Sequence, residues 1–342
     1  MKRRQFLNHS AKSGIAIITA LSPLNHFVMA GTIPQTGLVL DDHFKHHHIS
    51  PNHPESPDRY YAIKKEFSEQ DLFAKTVRIK PLGDVDNELR LIHTEEHIKS
   101  IRKTDAKTHR NASLATGGVL AAIDQVCSGK LKNAFCATRP PGHHARNTGK
   151  EEGFCYYNHV AIAARYAQKK YQVKKILIVD WDYHHGNGTE EAFYRDQNVL
   201  FFSTHDYYAY PGTGDPEKKG EGTGKGLNIN VHLDCGAGDN EIIQAFETQL
   251  IPAAEKFKPD LILISSGFDS RVDDLLGCHK VTDEGFAQLT SMVMVLAETY
   301  CQGRLVSVLE GGYNIRGNAK AAAAHVSALM IVPSVLSPRY AP

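Results

Sequence analysis

Two acids, two histidines and two glycines follow an apolar run in Lys175–Gly188, KILIVDWDYHHGNG. Asp182 and His184 stand two residues apart. On extended backbone, where side chains alternate with period two, such a pair projects to one side. A carboxylate and an imidazole converging in this way suit zinc, which in a catalytic site takes three protein ligands and keeps an open position for water. A third ligand is available far downstream, where the apolar run from Asp260 to Ser265 leads into SSGFDS and delivers Asp269. If those strands are sheet neighbours, Asp182, His184 and Asp269 form an Asp-His-Asp site. Taken alone, Asp180, Asp182 and His184 read equally well as polar strand-end residues capping a following helix, so the choice depends on the other segments.

Three of them carry matching chemistry. RPPGHHA, residues 139–145, follows a strand expected over Asn133–Thr138. Its prolines and glycine stop the strand and fix a rigid loop, holding His143 and His144 at the same sheet edge. The last strand, expected over Leu305–Leu309, ends in LEGGYN, where Gly311 and Gly312 let the backbone bend closely and present Tyr313 as a hydroxyl aimed into the site. Gly153 and Phe154 open the segment GFCYYN, and Tyr210 lies in a Gly-, Tyr- and Pro-rich loop over 204–224. Those rings either wall a pocket or pack the loop down. The histidine-rich tract 43–53, irregularly spaced and interrupted by prolines, reads as a surface loop.

Positioning these groups takes a scaffold, and the chain spells one out. Ile176–Val179 is apolar at every position, the signature of a strand buried on both faces, so the polar residues beyond it sit at its C-terminal end. That is where open α/β sheets place their sites. Strands alternate with helices along the chain, which implies a single α/β domain with a parallel sheet of roughly eight strands, flanked by helices on both faces. Ser56-Pro57-Asp58 opens a helix running to Glu69, with proline at its first position and an acid in its first turn. Further helices are expected over Gly117–Cys127, Ala161–Lys169, Asn240–Phe257 and Thr282–Tyr300.

Composition narrows the function. The 342 residues are 42% hydrophobic and 23% charged, with a net charge of +1. A nearly neutral chain with scattered basic residues has no electrostatic footprint for nucleic acid. Six cysteines form no C-x-x-C pair and read as free thiols, although the N-terminus points to an oxidising compartment in which a disulfide would persist. Residues 1–30 carry Arg3-Arg4-Gln5-Phe6-Leu7, a short apolar stretch and Val28-Met29-Ala30, the layout of a twin-arginine export signal. The expected organisation is a signal over 1–30, a catalytic domain over 31–342 and a periplasmic or exported location, or a cytoplasmic one if the signal reading fails. The apolar stretch is too short and too interrupted to span a bilayer.

Together the segments HPESPDR, RPPGHHA, GFCYYN, VDWDYHHGNGT, YPGTGD, SSGFDS and LEGGYN resemble the histone deacetylase family, which includes acetylpolyamine amidohydrolases and bacterial deacetylase-like amidohydrolases. They keep the family's order over about residues 37–330, and the RPPGHHA and HHGNG forms look more like its class II branch. The resemblance implies an arginase/deacetylase fold and one zinc ion on Asp182, His184 and Asp269. It makes His143 and His144 a pair that shares the general-base and general-acid work and Tyr313 the carbonyl-polarising hydroxyl, with Asp180 and Asn187 orienting the histidines. It also implies a structural potassium ion held by Asp180, Asp182, His184, Ser203 and Thr204. Phe154 and Tyr210 match the walls of a narrow tunnel, whose surroundings include Gly153, Leu276, Gly311 and Gly312.

Departures from the family pattern lie at the rim. The usual D-P-L-G-G reads Asp274-Leu275-Leu276-Gly277-Cys278, and the stretch 104–116 looks shortened, with Asp105 matching the acid that grips substrate backbone. The expected activity is hydrolysis of an N-acyl amide, of acetyl-lysine or a related small-molecule or peptide acylamide, to amine and carboxylate. An acetylpolyamine amidohydrolase is the near alternative. An arginase-like ureohydrolase would need further Asp or His ligands where Asn187 and His143-His144 stand. A non-catalytic acyl-binding module would be expected to lose a ligand, a catalytic histidine or the tyrosine, and none is lost.

Overall fold

A computed structural model describes residues 36–331; the expected export signal lies outside the described residues. Eight strands form one sheet: β1 (Thr36–Val39), β2 (Val77–Arg78), β3 (Asn133–Cys136), β4 (Ile176–Asp180), β5 (Val199–His205), β6 (Asn228–His232), β7 (Leu261–Ser266) and β8 (Leu305–Leu309). Their order is β2-β1-β3-β8-β7-β4-β5-β6, and every pairing is parallel. β1, β3, β4, β5, β7 and β8 are buried along their whole length, as strands covered on both faces must be. Register makes β4 and β7 direct neighbours, Asp180 facing Ser265, so the loops carrying Asp182 and Asp269 leave the sheet side by side. The chain jumps from β3 across two strand positions to β4, and the loops around that gap enclose the site.

No described helix is long and apolar enough to cross a membrane. The helix Pro57–Glu69 begins at the expected proline. The helix expected from Gly117 starts much earlier, at Ala106, and runs to Cys127. Asp105 caps it, accepting from the Lys107 N–H at 2.8 Å and the Thr108 hydroxyl at 2.6 Å. The stretch that looked shortened is therefore the end of one helix, Glu95–Thr104, and the opening turns of the next. Asp105 is committed to orphan donors at a helix start, and it does not line the cavity over the site.

Two readings of loops need correction. His47, in the histidine-rich tract, is fully buried, 3.5 Å from Glu55 and edge-on to Tyr156; the tract folds inward at that point. Cys235 and Cys278 are not free thiols: they are joined as a disulfide, their Cα atoms 5.2 Å apart. The loops after β6 and β7 run together here, with the Gly236 N–H donating to the Cys278 carbonyl at 2.9 Å, a proximity that sequence spacing does not encode.

Candidate active site

Asp182, His184 and Asp269 come together as expected. Each is buried and offers a ligand atom, and these atoms lie within 4.8 Å of one another. His184 Nδ1 is 3.2 Å from Asp182 Oδ1 and 3.0 Å from Asp269 Oδ2. The carboxylates are fixed from behind: Asp182 Oδ2 accepts from the Gly311 N–H at 2.8 Å and Asp269 Oδ1 from the Tyr183 N–H at 2.8 Å. Among the described residues neither carboxylate has a lysine or arginine partner. Burial and the Asp182 charge push the Asp269 carboxyl up to about 7. Two carboxylates and an imidazole in this geometry fit zinc by donor chemistry.

His143 and His144 lie beside this group, ring centroids 4.0 Å apart. His143 Nδ1 is 3.0 Å from Asp180 Oδ2, and its Nε2 is 3.8 Å from Asp182 Oδ1. His144 Nδ1 is 2.8 Å from Asn187 Oδ1. The two environments differ in sign. Burial favours a neutral His143, but the Asp180 and Asp182 carboxylates outweigh it and raise its pKa well above the usual histidine range. Burial, with the neighbouring His143 and His184, drives His144 well below that range.

Tyr313 is buried, and it lines a cavity of about 720 Å³ together with His144, His184, Phe154, Tyr210 and Leu276. Phe154 stands edge-on to Tyr313 with centroids 5.8 Å apart, and Tyr210 edge-on to His144 at 5.0 Å. Both rings, Phe154 and Tyr210, line this cavity. Gly153 has φ +55°, and a Cβ there would run into the His144 ring, so glycine is required by both backbone and space. Leu276 sits at the mouth, 40% exposed. A larger cleft of about 810 Å³ opens beside Asn187 and Glu190, but its arginines are already paired, Arg165 with Asp196 and Arg195 with Glu221.

Of the residues expected to hold potassium, Asp180, Asp182, Ser203 and Thr204 are buried and His184 is partly so. Ser203 faces Asp180 in the β4–β5 register, and its hydroxyl lies 2.9 Å from His205 Nδ1. The Thr204 hydroxyl is buried with no hydrogen-bond partner.

Several supporting groups were not singled out by sequence. Glu310, fully buried at the end of β8, accepts from the N–H groups of Gly142 and His143 at 2.6 and 3.1 Å and so holds the histidine loop. Burial pushes its carboxyl up to about 7. Glu55 accepts a bidentate pair from Arg139 at 2.6 and 2.7 Å, while Arg59 Nε donates to the Gly312 carbonyl at 2.8 Å and Arg59 Nη1 lies 3.3 Å from Glu55. This buried network locks three motif loops together. The signal was present in the acids and arginines of HPESPDR, RPPGHHA and LEGGYN, but their pairing across the fold was not.

Parallel α/β architecture, a buried Asp-His-Asp group at the C-terminal strand ends and paired histidines beside an aromatic-walled cavity define the class. Residues 53–329 match the histone deacetylase domain, and the chain belongs to the histone deacetylase family. It is 36% identical over 297 residues to a probable deacetylase of Archaeoglobus fulgidus, covering 82% of each chain. It is 39% identical over 303 residues to Histone deacetylase 6 of Caenorhabditis elegans, covering 80% of this chain and 31% of that protein. Against Histone deacetylase 15 of Arabidopsis thaliana the identity is 38%, over 53% of the plant protein's length. Among solved structures, the HDA15 HD domain superposes with a TM-score of 0.81 at 35% identity, covering 86% of this chain and 90% of that one.

Proposed function

We propose that the protein is a zinc-dependent deacylase that hydrolyses an N-acyl amide of the acetyl-lysine kind. The observation that carries this reading is the buried Asp182-His184-Asp269 group, two carboxylates and an imidazole with no lysine or arginine partner among the described residues, beneath a cavity lined by His144 and His184. Zinc, when bound, supplies Lewis acidity to the scissile carbonyl and to the attacking water.

The chain's own residues do the rest. His144, with Nδ1 held by Asn187 Oδ1, carries its hydrogen there and leaves Nε2 free to accept the proton of water. His143, held by Asp180, stays charged and faces the site as a proton source for the departing amine. General acid–base help of this kind is worth on the order of 10²–10⁴ in rate. Burial, followed by the nearby Asp269 charge, keeps the Tyr313 hydroxyl protonated, so it donates to the oxyanion, an effect of roughly 3–4 kcal/mol for one well-placed donor. Phe154 and Tyr210 exclude water from a slender acyl-bearing chain.

The test is Asp269→Ala, with purified protein assayed against an acetyl-lysine peptide and its metal content measured. Both the zinc and the activity are expected to be lost; a variant that keeps full zinc occupancy rules out the ligand assignment.

A further inference from the structure

Asp274 lies beyond Asp269 in the loop that carries Leu276 over the cavity mouth. Its carboxylate is occupied by backbone amides. Oδ2 accepts from the N–H of Tyr313 at 2.7 Å and of Asn314 at 3.0 Å, and Oδ1 accepts from the N–H of Leu276 at 2.9 Å. The next contact reinforces the first two: Asn314 Nδ2 donates to the Asp273 carbonyl at 2.8 Å. Asn314 Oδ1 in turn caps the helix Ile315–Leu329 through the Gly317 N–H at 3.0 Å.

Tyr313 needs such a hold. It follows two glycines, and Gly312 adopts φ +121°, so the backbone on its N-terminal side has little conformational preference of its own. The hydroxyl lies at the far end of the side chain, where a small backbone rotation becomes a large displacement. Arg59 restrains the preceding Gly312 carbonyl, and Phe154 abuts the ring. Neither touches the Tyr313 N–H. A carboxylate accepting two amides just ahead of a helix N-terminus makes charge-assisted bonds, about twice as strong as neutral ones.

We propose that Asp274 is a positioning residue for the reaction: it sets the place of Tyr313 through its backbone N–H and ties it to the rim residue Leu276. The body of an acylamide resting on Leu276 thus bears on the same carboxylate that aims the tyrosine. This rests on the reading of Tyr313 as the hydroxyl that meets the oxyanion.

The experiment is a double-mutant cycle of Asp274→Ala and Tyr313→Phe. A misplacement near 1 Å can cost about 10²-fold, so Asp274→Ala is expected to lower kcat by roughly 10–100-fold. KM should stay within about threefold, the split expected for a group that acts in the transition state. In the Tyr313→Phe background the same change is expected to have no further effect on kcat, and hydrogen exchange of amides 311–316 should quicken. Where Asp274→Ala fails to fold by circular dichroism, Asp274→Asn, which keeps the shape but opposes an N–H with its own amide, completes the same cycle. Equal falls in both backgrounds, or an unchanged kcat in a folded variant, overturn the proposal. Tyr313→Phe alone with full kcat overturns the role of the tyrosine instead, so the two failures are distinguishable.

Discussion

Gly311→Ala tests whether the carboxylates of the proposed metal site are held by close backbone approach. Gly311 requires no left-handed backbone, so alanine is conformationally admissible and only space opposes it. Its Cβ would stand 2.7 Å from Asp182 Oδ2, where ordinary contact begins near 3.4 Å, and would overlap Asp269 Oδ2 more deeply still. Both oxygens are already engaged, Asp182 Oδ2 with the Gly311 N–H and Asp269 Oδ2 with His184. Relief requires moving a ligand. Overpacking of this kind costs about 1–3 kcal/mol in stability. Moving a reacting constellation by about 1 Å costs on the order of 10² in rate. Activity should therefore collapse while the fold survives. Gly83→Ala is the control, with nothing within 4 Å of its Cβ, and is expected to change stability by less than about 0.5 kcal/mol. The assay pairs thermal unfolding with kcat/KM and zinc content for both variants. Wild-type kcat/KM in Gly311→Ala would refute the reasoning.

Two further outcomes can be checked. In members of the family that prefer acetylpolyamines an acid stands at the rim, whereas here Leu276 offers no carboxylate to offset desolvation of a second cation. Acetyl-lysine should be cleaved better than N8-acetylspermidine, and Leu276→Glu should shift the ratio of kcat/KM towards the polyamine; an unmoved ratio removes Leu276 as the determinant. For pH, burial lowers His47 and His159 to about 4 and His93 and His325 to about 3. A histidine depressed in the folded state leaves the unfolded chain binding more protons, so stability is full above about 6.5 and lost as pH falls towards the folded values. Each of the four should cost on the order of 1 kcal/mol between about pH 6.5 and 5.5. A midpoint of thermal unfolding that stays flat from about pH 7 to 5 contradicts this.

The parts of the site legible in the sequence are those whose chemistry is local. Asp182 and His184 announce themselves by period-two spacing at a strand end, and His143-His144 by the prolines before them. Strand existence was equally legible, because β4, β5, β7 and β8 each carry four apolar residues. What could not be read is pairing at a distance. Glu55 meets Arg139 across 84 residues, and Cys235 meets Cys278 across 43. Asp105 resembled a substrate contact because an acid before a loop and an acid before a helix look alike until the helix is seen. Asp274 was visible only as the first residue of a rim segment, since its partners are amides and every residue but proline has one.

Strand order gives the last strand an unusual station. β8 lies between β3 and β7, and the flanking strands fall into two sets that share no pairing without it: β2-β1-β3 on one side, β7-β4-β5-β6 on the other. The first set presents the histidine pair, and the second presents Asp182, His184 and Asp269. β8 is the keystone between the half that carries the histidine pair and the half that carries the Asp-His-Asp group. Through Glu310 it also grips the first, and through the Gly311 N–H it grips the second. A chain ending before Leu305 would retain both histidines and all three residues of the Asp-His-Asp group yet have nothing in the sheet to hold the two halves in register. Assembly of the site therefore waits on the final strand.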